Sequence, residues 1–208
     1  MDEQLIEQIA KRVKEILEPS NEVPIEASGR HVHLSREHVE LLFGKDYKLK
    51  KKKELSQPGQ YQCEERVILI GPKGVIQNVA VLGPERDKTQ VEISKTDAIS
   101  LGVDAPIRES GDLEGSGTLF IATENAVVKA EESVIIAKRH IHMTREDAKR
   151  LKVKDKDIVK VKVKSDRPII FEDVVVRVSD RYKLSMHIDY DEANASNFRK
   201  GIKGEILL

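Results

Sequence analysis

The chain has a single cysteine, Cys63, among 208 residues. One thiol excludes an internal disulfide framework and any cysteine-rich zinc site. Any transition-metal site must therefore rest on histidine and carboxylate. Neither charge is in excess, with 36 Lys and Arg against 36 Asp and Glu. No global field points to nucleic acid or an anionic membrane. Apolar runs long enough to span a bilayer are missing, and no signal-peptide core opens the chain. A cytoplasmic protein is expected, with no nucleic acid and no membrane as partner. Long helical patterns are missing after residue 45. The glycine-rich loop Arg108-Glu109-Ser110-Gly111-Asp112-Leu113-Glu114-Gly115-Ser116-Gly117 lacks a following Gly-Lys-Ser/Thr, which excludes a P-loop.

Against these absences, one stretch is written twice. Arg30-His31-Val32-His33-Leu34-Ser35-Arg36-Glu37 returns as Arg139-His140-Ile141-His142-Met143-Thr144-Arg145-Glu146, at a constant offset of 109 that still holds at Leu42 and Leu151. Four of the six histidines sit in these two pairs. On a strand, residues i and i+2 share a face, so two imidazoles lie side by side and can hold one metal ion. The residue between them, Val32 or Ile141, faces the core. Ser35 and Thr144 read as helix N-caps, with Glu37 and Glu146 in the first turn. Thr144-x-x-Asp147 fits a capping box. Each copy is predicted as a strand carrying two ligands that turns straight into a short helix. The alternative is a duplication whose histidines only pack or hydrogen-bond; two matched pairs favour metal.

Residues 1–18 read as an amphipathic helix, with Leu5, Ile6, Ile9, Val13, Ile16 and Leu17 at helical spacing. Pro19 to Pro24 breaks the pattern, so this helix is expected as an appendage. It either packs on its own chain or a dimer partner, or docks onto a larger assembly. From Pro24 on the signals are mostly β. Residues 66–70, 79–82, 132–137, 158–163 and 174–178 are short, aliphatic or alternating, and several are bounded by glycine or proline. Strands at short intervals favour barrels or a sandwich over a doubly wound sheet. The lysine run 48–53 reads as solvated surface, or alternatively as a pocket rim, and Ser56 to Gln60 as a turn.

A second unusual stretch spans Gly83 to Ser94. Gln90, Glu92 and Ser94 alternate with Val91 and Ile93, giving a strand with one polar face. A carboxylate there, Glu92, can complete a histidine metal site. Arg86 can hold an oxyanion with its planar fork. The plainer readings are a solvated edge and a surface salt bridge. His187 lies on a short apolar segment, and His38 is expected as ordinary surface.

Taken in order, Arg30 to Ser35, Gly83-Pro84-x-Arg86-x-x-Thr89-Gln90-Val91-Glu92-Ile93-Ser94, Arg108 to Ser116, Ala137 to Thr144 and Met186-His187-Ile188-Asp189 match a known family. The sequence resembles the PduL-type phosphotransacylases, also called phosphate propanoyltransferases, over roughly residues 23–208. These enzymes are associated with bacterial microcompartments, propanediol degradation and acetate metabolism. The resemblance implies a mainly β fold of two β-barrels with interleaved chain segments, capped by short α-helices. Residues 20–29 and 138–208 would form the first barrel, 30–43 and 65–137 the second, and 44–64 a hairpin lid. It also implies two zinc ions per chain. His31, His33 and Glu92 would serve one metal, and His140, His142 and His187 the other. Arg86 would bind phosphate and act in catalysis. Glu26, Ala27, Ser28, Lys73 and Asn194 would contact coenzyme A. Ala80 departs from the pattern, since members of the family often carry Arg there. A homodimer is expected, with microcompartment shell or cargo proteins as further partners of the N-terminal helix.

The reaction the resemblance implies is acyl-CoA plus phosphate to acyl phosphate plus CoA, with acetyl or propanoyl as the acyl group. No Ser-His-Asp or Cys-His arrangement is evident, so a covalent acyl-enzyme is not expected. Direct attack of metal-bound phosphate on the thioester is the simpler route. The rival classes are a metallohydrolase, which needs no second-substrate phosphate site, and a scaffolding protein worked by its N-terminal helix.

Overall fold

The computed structural model describes residues 21–207. The amphipathic helix expected at residues 1–18 lies outside them. The short aliphatic runs become strands β1 (Glu22–Ala27), β2 (His31–Ser35), β3 (Lys51–Glu54), β4 (Tyr61–Ile70), β5 (Val75–Arg86), β6 (Gln90–Glu92) and β7 (Ile107–Arg108). The later strands are β8 (Gly117–Ala122), β9 (Val127–Ala137), β10 (His140–Met143), β11 (Ile158–Val163), β12 (Ile169–Val178), β13 (Ser185–Ile188) and β14 (Lys203–Leu207). The helices among the described residues are short: α1 (Arg36–Phe43), α2 (Lys95–Leu101), α3 (Arg145–Leu151) and α4 (Tyr190–Ala195).

The strands close into two six-stranded barrels, which leaves few free sheet edges. In the first, the order is β1-β13-β10-β12-β11-β14. In the second, β4-β5-β2-β6-β9 is closed by β8, which bonds to both β9 and β4. β3 extends the second barrel beyond β4 as a hairpin, and β7 adds to β9. Each barrel has its own apolar core. Val32, Leu34, Val81, Val91 and Val134 fill one; Ile141, Met143, Val161, Val176 and Met186 fill the other. The middle residue of each His-x-His is thus buried inside its barrel, as strand alternation predicts.

The chain passes between the barrels twice. Residues 28–30 lead from β1 to β2, and residues 138–139 lead from β9 back to β10. Both crossings sit immediately before a His-x-His strand. Each such strand then turns directly into a helix. Ser35 caps α1 by accepting from the His38 amide, and Thr144 and Asp147 form a reciprocal capping box on α3. The same boxes recur at Ser94 and Asp97 on α2 and at Asp189 and Glu192 on α4. A side chain that satisfies an otherwise unpaired helix N–H contributes about 1 kcal/mol. Four strand ends are pinned in this way, and each belongs to a strand that carries a candidate site residue.

Candidate functional site

The two barrels repeat one local arrangement around each histidine pair. β2 runs parallel to β5 and antiparallel to β6; β10 runs parallel to β12 and antiparallel to β13. Across the antiparallel pairing, His31 faces Glu92 and His140 faces His187. Glu92 and His187 therefore hold equivalent places in the two copies. Sequence offset alone hides this, because the constant 109 has dropped to 95 by this point. The shift leaves room for the longer β3–β4 excursion in the first copy.

A single cavity of about 870 Å³ is lined by His31, His33 and Glu92 from one barrel and His140, His142 and His187 from the other. Both histidines of β2 and His142 of β10 are buried although they point away from the barrel cores. The outer faces of the two ligand strands cover each other. Nothing in the strand pattern announces this second layer of burial.

His31 donates from Nδ1 to the Gly29 carbonyl at 2.8 Å, and His140 donates from Nδ1 to the Lys138 carbonyl at 2.8 Å. Each acceptor lies in a crossing segment, two residues before its histidine. The bond fixes the tautomer and leaves Nε2 with its lone pair free, the usual preparation of a metal-binding imidazole. His31 Nε2 then faces Glu92 Oε2 at 3.5 Å. The ligand atoms of His31, His33 and Glu92 all lie within 4.8 Å of one another, the one group so tight among the described residues. In the other set the rings are neighbours, with centroids 4.6 Å apart for His140 and His142, 5.3 Å for His140 and His187, and 5.0 Å for His142 and His187.

The buried Nδ1 atoms of His33 and His142 have no hydrogen-bond partner. A buried polar atom without a partner costs on the order of 1–3 kcal/mol. The His31, His33 and Glu92 set fits a metal, and its imidazole–carboxylate chemistry suits zinc, cobalt, nickel or iron.

The electrostatics agree. Burial opposes the Glu92 charge, but His31, His33 and Arg86 outweigh it and hold the carboxyl well below its usual range. His31 is raised despite burial, because Glu92 stands beside it. Burial, reinforced by His31 and Arg86, pushes His33 well down. Burial and the neighbouring imidazoles lower His142 to about 2, and burial with His140 lowers His187 to about 3. His33, His142 and His187 are therefore neutral near pH 7, the state in which imidazole binds a metal.

Arg86 donates through Nη2 to His33 Nε2 at 2.8 Å and through Nη1 to Ser110 Oγ at 3.1 Å. Ser110, from the glycine-rich loop, also donates to Glu92 Oε1 at 3.2 Å. Gln90 reaches the same Ser110 and Glu92. Of the expected coenzyme A contacts, Glu26, Ala27 and Ser28 line the main cavity. Asn194 lines a smaller pocket of about 350 Å³ that shares Ala27 and Tyr190 with it. Lys73 lies outside both, in the turn between β4 and β5.

Several lining residues had no motif to reveal them. Arg177 and Tyr182 are on the wall, with the Tyr182 ring 4.3 Å from that of His142. Gln57, expected only as part of a turn, is buried and also lines the cavity. Of the lysine run, Lys53 reaches the lining. His38 corrects an expectation: it is half-buried, with Nδ1 2.8 Å from Thr89 Oγ1, because α1 packs its first turn against the β5–β6 connection. Cys63 is buried in the second barrel, where burial pushes its thiol up to about 12.

A family model described as phosphate propanoyltransferase matches residues 24–199. The phosphate propanoyltransferase of Alkaliphilus metalliredigens is 54% identical over 204 residues, 98% of this chain and 96% of the relative. That of Sebaldella termitidis is 55% identical over 99% of each chain. That of Thermotoga maritima is 53% identical over 92% of this chain and 91% of its own.

Proposed function

The chain belongs to the phosphate propanoyltransferase family, and on that premise we propose that it interconverts a short-chain acyl-CoA and phosphate with the acyl phosphate and CoA. Propanoyl-CoA and acetyl-CoA are the substrates in view. The observation that carries this reading is the convergence of six metal-type ligands and Arg86 on one cavity. A hydrolase would need the ligands but no second-substrate anion site. Arg86 supports phosphate as that second substrate.

The reaction requires phosphate to approach a thioester carbonyl. A phosphate oxygen forms the new C–O bond, the C–S bond breaks, and the proton of hydrogen phosphate ends on the CoA thiolate. Phosphate is already anionic at neutral pH, so no dedicated base is needed. Arg86 offers two parallel donors to phosphate oxygens and holds them against the carbonyl. Zinc at the two histidine sets, about two ions per chain, would supply positive charge to offset phosphate repulsion and stabilise the carbonyl oxygen as it becomes anionic. His31, His33 and Glu92 would hold one ion; His140, His142 and His187 the other.

A covalent acyl-enzyme has little support among the described residues. Ser185 Oγ is 2.9 Å from His187 Nε2, but Ser185 is 1% exposed and is not on the cavity wall. Cys63 is likewise off the wall and protonated at neutral pH. Direct transfer is the simpler route.

For CoA we propose the wall of Glu26, Ala27 and Ser28, a reading supported by their place on the cavity and by Asn194 in the adjoining smaller pocket. Residues 20–29 with 138–208, and 30–43 with 65–137, are read as two interleaved units with 44–64 as a lid. The homodimer and the targeting role of the N-terminal segment rest on the family alone. The deciding experiment is CoA release from propanoyl-CoA with and without phosphate. Release that depends on phosphate and yields propanoyl phosphate supports the transferase; equal release without phosphate overturns it.

A further inference from the structure

Arg177 occupies a place where the duplication offers a built-in comparison. In the second barrel, the parallel neighbour of His33 is Leu82 on β5. In the first barrel, the parallel neighbour of His142 is Arg177 on β12. The two positions are equivalent, so the barrel architecture itself is satisfied by leucine. A half-buried guanidinium there has a desolvation cost that the fold does not demand. Such a charge persists where something pairs with it.

Among the described residues that partner is missing. The Arg177 backbone pairs with His142 in the sheet, but no hydrogen bond or ion pair among the described residues joins its side chain to another group. Arg30 and Arg139, each directly before a His-x-His pair, behave differently. Arg30 grips Asp97 through two contacts of 3.0 and 2.9 Å, and Arg139 grips Glu192 at 2.6 Å. The acid nearest in influence to Arg177, Glu109, is already bonded to Lys156 at 2.8 Å. Glu92 is engaged by His31, Gln90 and Ser110.

What faces Arg177 is mostly positive or neutral. Its charge presses on Arg86 from the opposite barrel and on His140, His142 and His187 from its own. Both arginines line the one cavity. Two guanidiniums brought towards each other from separate barrels call for a multiply charged anion with several acceptor oxygens.

We propose that Arg177 is the second phosphate contact: with Arg86 it clamps the phosphoryl group that is transferred, one guanidinium from each barrel. This rests on the transferase reading above. It extends it by making the phosphate site a product of both barrels, incomplete in either alone. The phosphates of CoA offer the same oxygen chemistry, and the experiment separates the two sources.

The test uses full-length, metal-loaded protein and the variants Arg177→Met and Arg177→Lys. Steady-state kinetics are run at varied phosphate and, separately, at varied propanoyl-CoA. In Arg177→Met, kcat/KM for phosphate is expected to fall on the order of 10- to 100-fold, with KM for propanoyl-CoA and metal content near wild type. Arg177→Lys should recover part of the loss, because charge returns without the fork. A shift confined to propanoyl-CoA would assign Arg177 to CoA and overturn the proposal. Wild-type phosphate kinetics in Arg177→Met would do so too, as would loss of metal parallel to loss of activity. Calorimetric titration with inorganic phosphate gives a reading independent of turnover: binding should weaken in Arg177→Met while CoA binding holds. Phosphate bound equally by variant and wild type sinks the proposal even if the wild type is an active transferase. Absence of phosphate-dependent CoA release in the wild type, with phosphate binding still dependent on Arg177, would instead remove the transferase reading and leave the clamp.

Discussion

Gln57 reaches Ser185 across 128 residues of chain, its Nε2 donating to Ser185 Oγ at 2.8 Å. The same amide nitrogen donates to the Lys183 carbonyl at 2.8 Å, and its oxygen accepts from the Lys183 amide at 3.2 Å. Ser185 in turn faces His187 Nε2. A residue of the β3–β4 hairpin, which hangs from the second barrel, is therefore tied to the strand that carries a candidate ligand in the first. Ser56 adds a contact to Glu26 beside it.

Gln57→Ala should loosen that hairpin. It leaves buried groups at Ser185 and Lys183 without their partner, at a cost of about 1–3 kcal/mol. The expected result is a lower urea midpoint and faster proteolytic cleavage between residues 45 and 60. Unchanged cleavage would mean that other contacts hold the hairpin down.

Removing one ligand should remove one ion. His31→Ala and His142→Ala are each expected to lower metal content from about two ions per chain to about one, with activity collapsing in both. Elemental analysis of protein never exposed to chelator reads this directly. If wild type carries one ion or none, the two-site arrangement is wrong.

Arg86→Ala should leave metal content intact and weaken the use of phosphate. Losing a bidentate charged contact costs on the order of 2–4 kcal/mol, or roughly 30- to 1000-fold in kcat/KM for phosphate. Arg86→Lys should recover only part. A surface ion pair would instead be worth under about 1 kcal/mol, with near-normal kinetics.

Metal-free protein should lose stability in mild acid. Burial and neighbouring imidazoles hold His142 at about 2 and His187 at about 3 in the folded state. Unfolding returns them to about 6.5. Between those values the unfolded chain binds more protons, so stability falls as pH drops below about 6.5. The loss from pH 7 to pH 5 is expected at about 2 kcal/mol per histidine. Urea midpoints of chelator-treated protein check it; a midpoint that stays flat would falsify the burial of neutral imidazoles.

Deleting residues 1–18 should leave turnover and metal content largely unchanged, since none of the candidate site residues lies there. Loss of metal in the truncated protein would contradict the reading of that segment as an appendage.

Much of this molecule was legible in the chain itself. The doubled His-x-His motif marked both strands and their helix caps, because period-two alternation and N-cap chemistry are local. The polar face of β6 picked out Glu92 for the same reason, and the long family motifs carried His187 and Arg86. Other features were settled only by the closed barrels. His187 matches Glu92 through cross-strand register, and register depends on how far apart in sequence the paired strands lie, which the changed offset conceals. Both faces of β2 are buried because its outer face turns to a cavity shared with the first barrel, and a single strand's alternation cannot announce a layer above it. Arg177, Tyr182 and Gln57 reach the cavity from strands, turns and a hairpin with no shared spacing. Their side chains converge only because the chain crosses between barrels at residues 28–30 and 138–139, bringing the two ligand strands face to face.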